Sequence, residues 1–526
     1  MKNLILLLLF ATQIAVAQDK FKTEITVQPD EKWWGAFVGF GQEMPFKNLE
    51  LQDIGLQNYN NQNAPLLLSS NGRYVWSNKP FKFSVQGKQI SISSASEELK
   101  IIQAGKSLKD AFLDASKLHF PTSGKMPEPL FFSVPQYNTW IELMYNQNQT
   151  DILKYAEDAK KNGFPEGVFM IDDNWQKYYG NFEFKPEKFA DPKAMISKLH
   201  QMGFKIMLWI CPFVSADSPE YRDLEKKGYL IKVKGKNTPA MITWWNGVSA
   251  SYDLTNPEAV KHLKNQLHLL QQKYGVDGYK FDAGDMNYFS GDYDLFKKDA
   301  TAVDLCKKWS EIGLDFPYNE FRASWKMGGM PLVQRLGDKD YSWEALQSLI
   351  PQAATAGLLG YSYVCPDMIG GGSFATFLDI EPSKFDQELI VRSAQVHAMM
   401  PMMQFSVAPW RVLSPANLKI TSEIAKFHQK MGSYILQVAQ NTAKTGEPML
   451  RNMEYSFPHQ GLAEVKDQFM LGDKYLVAPM VVKGTRRSVK LPVGSWKDDQ
   501  GKVLKGGRSI EIEVPLSRLP YYEKLK

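Results

Sequence analysis

A closed parallel barrel of the α/β class is predicted by three observations. Buried-strand runs alternate with helical patterns through the middle of the chain, several of those runs stop at a polar side chain, and β-patterned segments flank them on both sides. The fold class expected is therefore a (β/α)8 TIM barrel with an N-terminal β-sandwich and a small C-terminal β-domain. A length of 526 residues suits two or three domains. A doubly wound open sheet is the competing arrangement, but no Gly-rich phosphate loop follows the first strand.

Met1 to Ala17 reads as a secretory signal: Lys2, an apolar run from Leu4 to Phe10, then Ala15-Val16-Ala17 as a small-residue cleavage pattern. The expected location is the periplasm or the exterior, with a mature start near Gln18. No later apolar run is long enough to span a bilayer. Residues 18–130 are expected to form the sandwich, because Phe81, Phe83 and Val85 alternate with polar residues, Gly87 turns, and Ile90 and Ile92 resume.

Residues 131–455 carry the barrel pattern. Thr150 is a candidate cap for a helix whose Ile152, Tyr155, Ala156 and Ala159 recur at helical spacing, with Gly163 beyond its end. The run Val168 to Ile171 stops at Asp172-Asp173, and after a helix around Ala194 to His200, Ile206 to Ile210 stops at Cys211-Pro212. Tyr279-Lys280-Phe281 stops at Asp282, and Tyr361 to Val364 precedes Cys365-Pro366-Asp367. Residues 456–526 return to alternation at Ser488 to Leu491 and at Ile510, Ile512 and Val514, punctuated by Gly494 and Gly506-Gly507.

Composition narrows the function classes. Hydrophobic residues are 44% and charged residues 23%, which is ordinary globular usage and argues against disorder. The formal charge of +5 comes from 62 Lys+Arg against 57 Asp+Glu, dispersed along the chain, so no nucleic-acid partner is expected. Cys211, Cys306 and Cys365 form neither a disulfide framework nor a zinc pattern, and no cofactor or metal is expected. Oligomeric state is not legible.

The chemistry is expected where barrel strands end, since βα loops build the site there. A lone strand-end Asp is more often a helix cap, but several on one rim point to a site. Lys280 and Asp282 lie two residues apart on one strand and so face the same way, into the barrel mouth. A nearby ammonium favours the ionised carboxylate, which suits Asp282 to nucleophilic attack. Asp338, in a turn-rich segment before the helical run from Trp343, is a second carboxylate available for proton transfer. Trp33 and Trp34 are read as sandwich core, with a loop of that domain reaching the site as the alternative. His397 and Met399, Met400, Met402 and Met403 are read as barrel-helix core, and Asp285 as support for the loop after Asp282.

These residues together resemble glycoside hydrolase family 31. The likeness runs from Ile171-Asp172-Asp173 through Lys-Phe-Asp-Ala-Gly-Asp at 280–285 and Gly337-Asp338 with Trp343, to Pro366-Asp367-Met368-Ile369-Gly370-Gly371. Asp467 to Asp473 with Val477-Ala478-Pro479 is similar to the start of that family's C-terminal β-domain. The resemblance implies a retaining α-glycosidase with Asp282 as nucleophile and Asp338 as general acid/base. It also implies sugar contacts from Asp172, Trp245, Arg322 and Asp367. Asp173, Trp175, Trp209, Cys211 and Lys280 complete the candidate substrate-binding set, with an oligosaccharide or simple glycoside as partner.

Three departures bear on the sugar. Lys280 stands where the family's α-glucosidases have Trp, Cys211 where they have a strand-end Asp, and Ser406 where they have a sugar-binding His. Lys-x-Asp at the nucleophile, and paired Asp followed closely by Trp175, look like α-galactosidases, including an animal branch of this family. An axial O4 needs acceptors in a different place, for which Asp172, Asp173 and Lys280 are candidates. A terminal α-galactoside is the expected substrate. The alternatives are an α-glucoside, α-xyloside or α-N-acetylgalactosaminide, or a sugar-binding protein without catalysis.

Overall fold

A computed structural model describes residues 20–378 and 380–525; the expected signal segment 1–17 lies outside the described residues. The N-terminal region is a sandwich. One sheet orders the strands Phe21–Thr26, Gln89–Ser94, Lys82–Gln86 and Asn48–Asp53, and the other is built on Gln62–Ser69 with Trp33–Phe37, Arg73–Trp76 and Ile101–Gln103. The predicted hairpin forms with Phe83 opposite Ile92 and Val85 opposite Ile90, and all four side chains are buried on one face. Phe37 of the second sheet stacks on Phe83 of the first at 6.2 Å, which is how the two apolar faces close on each other. Trp33 and Trp34 are core, as expected.

The barrel has eight parallel strands: β1 (Gln136–Asn138), β2 (Val168–Ile171), β3 (Lys205–Ile210), β4 (Gly278–Phe281), β5 (Tyr318–Phe321), β6 (Gln334–Arg335), β7 (Val364–Cys365) and β8 (Gln404–Phe405). Strands β1 to β7 pair in chain order and β8 pairs with β1. A parallel bridge between Met368 and Gln404 joins the ends, so the sheet closes on itself.

The outer helices follow their caps and apolar spacing. In α1 (Gln149–Lys161), Ile152, Tyr155, Ala156 and Ala159 are buried as predicted. The cap, however, is Asn148, whose side chain accepts from the Asp151 amide; Thr150 lies inside the first turn, because the helix begins two residues earlier than its hydroxyl would need. No helix joins β5 to β6. Ser324–Trp325 instead pairs in parallel with Gln62–Asn63 of the N-terminal sheet, tying that domain to the barrel rim.

The C-terminal domain has a six-stranded sheet and the hairpin Arg486–Leu491 with Arg508–Glu513. Leu450–Arg451, after the long helix Pro415–Thr445, pairs with the strand Phe469–Leu471 of that sheet. Among the described residues, no helix is long and apolar enough to cross a membrane.

The barrel axis is unusually polar. Gln136, Asn138, Lys280, Glu320, Arg335 and Gln404 are all buried, where branched aliphatic layers are the norm. Part of this set is joined by hydrogen bonds: Gln404 donates to Glu320 at 2.9 Å and to Gln136 at 3.2 Å. A polar network at these positions holds charge just beneath the rim.

Candidate active site

Asp282 is the residue directly after β4, and its carboxylate is held from two sides. The Trp209 indole N–H donates to Oδ2 at 2.8 Å, and Arg322 Nε lies 3.4 Å from Oδ1. The chain then turns sharply through Ala283 (φ 55°) and Gly284 (φ 76°). A Cβ on Gly284 would come within 2.3 Å of the Trp309 ring, so only glycine fits there. Burial alone would push the Asp282 carboxyl up. The cations Arg322, Lys280 and Arg335, with the Trp209 hydrogen bond, outweigh it and hold the group well below the usual carboxylate range. A nearly dry carboxylate that stays ionised around neutrality is what attack on an electrophilic carbon requires.

Lys280 does not pair with Asp282 directly. Its ammonium is 2.6 Å from Asp172 Oδ2, and both side chains are buried. Lys280 and Asp282 share a strand face as expected, but parallel pairing with β3 and β2 places Asp172 closer to the ammonium. Asp173 points to another set of donors: Asn246 Nδ2 at 2.8 Å and the Tyr179 hydroxyl at 3.2 Å. Burial first, and then the charge of Asp172, push the Asp173 carboxyl up from 3.8 to about 7.

The native state therefore binds that proton more tightly than the unfolded chain does. The associated stability is full below the unfolded value and is lost as pH rises through about 7. Between about pH 5 and about pH 8 the melting temperature of the wild type is expected to fall more steeply than that of Asp173→Asn. Parallel slopes in a melting series would remove Asp173 as the source.

Asp338 follows β6 and is the exposed member of the constellation, its side chain 35% accessible. Arg335 Nη1 touches Asp338 Oδ1 at 2.6 Å and Asp367 Oδ1 at 3.0 Å. Arg322 and Arg335 each act electrostatically on both Asp282 and Asp338, so the two carboxylates face one cationic pair. Asp367 is fully buried, with a left-handed backbone (φ 76°). A Cβ on Gly372 would sit 2.7 Å from its Oδ1 and 3.2 Å from that of Asp338, so a glycine keeps this approach open. Asp285 is fully buried between Arg322 (2.5 Å) and Asn58 (3.1 Å), the supporting part expected of it.

Trp245 forms the turn of the hairpin Ile242–Trp244 and Gly247–Ser251, is 40% exposed, and carries the Arg322 guanidinium over its ring at 4.9 Å. It is an aromatic wall aimed at the nucleophile's neighbour. Tyr145, Trp140 and Phe374 pack edge-on to one another, and the Tyr145 hydroxyl donates to Asn246. Trp175 is a correction. It is fully buried against Phe184, and its indole N–H donates to the Trp209 carbonyl at 2.7 Å, so it props the strand that carries Trp209 and has no face for a sugar. Ser406 is likewise committed, accepting from the Ile141 amide at 2.7 Å. Cys211 is buried beside Asp173 and Asp282, and burial raises its thiol well above the ordinary range, so it presents a small neutral surface.

Arg335 and Glu320 are not legible as site residues in the sequence, because β5 and β6 are short and show no alternation. Asn246 has a signal, the Asn246-Gly247 pair that marks hairpins, and Asn58 and Asn61 have none. Asn61 accepts from the Gly337 amide and Gln62 donates to the Arg322 and Arg335 carbonyls, so the N-terminal domain braces the rim. His397 and the Met cluster are fully buried core, as expected. Among the described residues, no group of His, Cys, Asp and Glu could hold a metal ion.

Residues 132–308 match the glycosyl hydrolases family 31 TIM-barrel domain, and 446–525 the glycosyl hydrolase family 31 C-terminal domain. The chain is 30% identical over 410 residues to the myogenesis-regulating glycosidase of Mus musculus, covering 76% of this chain and 57% of that protein. It is 25% identical over 514 residues to an α-xylosidase of Emericella nidulans, covering 90% and 63% respectively. The chain thus spans about three-fifths of the length of these relatives. A Flavobacterium johnsoniae family 31 dextranase complexed with glucose superposes with a TM-score of 0.82 at 18% identity, covering 96% of this chain and 67% of that one, a likeness of fold.

Proposed function

Since the chain belongs to glycoside hydrolase family 31, we propose that it is a retaining, exo-acting α-glycosidase with Asp282 as nucleophile and Asp338 as general acid/base. The observation that carries this is the contrast between the two carboxylates. Asp282 is buried and kept ionised by Arg322 and Lys280, while Asp338 is exposed on the same rim beside a shared Arg335. In the first step Asp282 attacks the anomeric carbon as the glycosidic C–O bond breaks, and Asp338 gives its proton to the departing oxygen. In the second step Asp338 takes a proton from water as that water displaces Asp282 and releases the sugar. The sealed floor of Asp172, Lys280 and Cys211 supports action on a chain end.

For the sugar, relatives named α-xylosidase, 1,3-α-isomaltosidase and α-glucosidase support an α-xyloside or α-glucoside better than an α-galactoside. The α-galactoside is kept as a second reading because of one observation: Lys280 is locked onto Asp172 at 2.6 Å where the family's glucosidases have Trp. Side-by-side hydrolysis of aryl α-glucoside, α-xyloside and α-galactoside decides. Fastest turnover of the galactoside would reverse the order, and turnover of none of the three would sink the glycosidase reading. Export to the periplasm or beyond is part of the same reading and rests on 1–17; a mature N-terminus at or near Gln18 would support it, and an intact Met1 would not.

Asp338→Ala is expected to lose about 10²–10⁴-fold in kcat/KM on a glycoside with a poor leaving group. Much less is lost on an aryl glycoside whose leaving group departs without a proton. Equal losses on both substrates would remove Asp338 from the acid/base role.

A further inference from the structure

Arg335 is 1% exposed and carries a single positive charge, yet three carboxylates converge on it: Glu320 at 3.5 Å, Asp338 at 2.6 Å and Asp367 at 3.0 Å. The last two share one nitrogen, Nη1. Their claims on that nitrogen compete, because a hydrogen-bond donor shared by two anions binds each less tightly than it would bind either alone. Asp338 also acts on Lys339 from its own segment, which Asp340 faces too, and on Arg322 from beyond β5, which it shares with Asp282. None of these touches both Asp338 and Asp367 through one atom among the described residues. The Asp367 carboxylate has one further hydrogen bond there, from the Lys339 amide at 2.8 Å.

We propose that Arg335 is a positioning residue that divides its charge between Asp367 and Asp338 through the one nitrogen they share, and thereby sets the basic limb of the reaction's pH dependence. The assignment rests on Asp338 being the acid/base. Burial, and then the charge of Asp338, push the Asp367 carboxyl up to about 6, so its own ionisation falls where a glycosidase works. When Asp367 is ionised it competes with Asp338 for Arg335; when it is neutral, the charge of Arg335 falls on Asp338 alone.

The test is the basic limb of kcat/KM against pH on an unactivated α-glycoside. Arg335→Gln removes the cation and is expected to move that limb up by about one pH unit. Asp367→Asn removes the competing anion and moves the limb down. Arg335→Lys, which keeps the charge, returns the limb toward that of the wild type. Displacement in opposite directions is the expected result; an unmoved limb in both variants, or movement in the same direction, overturns the proposal. Arg335→Gln leaves Glu320 with Lys280 as its remaining cation; if that variant does not fold, the direction of the Asp367→Asn displacement decides alone. A ¹³C-carboxyl NMR titration of Asp338, identified by the signal lost in Asp338→Asn, reads the same displacements without turnover. An inactive wild type would then sink the glycosidase reading while leaving this test standing.

Discussion

Asp282→Ala is expected to lower kcat by about 10⁴-fold or more on every α-glycoside the wild type hydrolyses. The loss follows from covalent catalysis: without the carboxylate there is no glycosyl-enzyme, and what remains is binding and electrostatic stabilisation from Arg322, Arg335 and Asp338. Azide should restore turnover, because the truncated side chain leaves room for a small anion between Trp209 Nε1 and Arg322. The azide enters on the face Asp282 used, so the product is a β-glycosyl azide, inverted at the anomeric carbon. Product configuration by proton NMR is the deciding measurement. Unchanged activity in Asp282→Ala would place the nucleophile elsewhere, and a wild type and variant that bind sugar equally without turnover would favour a binding protein. Folding is not expected to suffer, since removing one anion from a site rich in cations leaves Arg322 still paired with Asp285 at 2.5 Å.

Lys280→Met is expected to cost about 3–5 kcal/mol of stability, because it leaves Asp172 buried without its cation. Denaturant unfolding measures this directly. Adding Asp172→Leu should recover most of the loss, since a buried pair replaced by apolar side chains of similar volume is close to neutral. Activity should not return with it. Lys280 is also, after Arg322, the cation that keeps Asp282 ionised. The acidic limb of kcat/KM, where the nucleophile takes up a proton, is therefore expected to move to higher pH in Lys280→Met and to stay there in the double variant. Recovery of both stability and activity in the double variant would show that the pair is scaffolding and contributes nothing to the reaction.

Much of the architecture is readable from local pattern. Val168 to Ile171 and Lys205 to Ile210 are continuous apolar runs because both faces of those strands are covered, and α1 announces itself through Ile152, Tyr155, Ala156 and Ala159. Strands β6, β7 and β8 have two residues each, too few for a period to show, and Arg335 and Gln404 among them put polar groups on the barrel axis. The missing helix between β5 and β6 is equally invisible, since Ser324–Trp325 finds its partner Gln62–Asn63 in a distant part of the chain.

At the site the division runs along the same line. Strand-end position and side-chain type, which are local properties, suffice to nominate Asp172, Asp173, Asp282 and Asp367, whereas Asp338 sits in a turn-rich segment and takes its role from the resemblance, which is met by matches to the family's barrel and C-terminal domains. Partnership is a property of three-dimensional distance, and only the tertiary structure decided it. It assigned Lys280 to Asp172 in place of Asp282, turned Trp175 inward beneath Trp209, and introduced Arg335 as the cation between Asp338 and Asp367. The physical reason is that Coulomb and hydrogen-bond energies fall off over a few ångströms. Neighbours at that range come from far along this chain, Lys280 and Asp172 being 108 residues apart and Asp282 and Trp209 73. The sequence determined which carboxylates stand on the rim; the closure of the sheet decided what each of them faces.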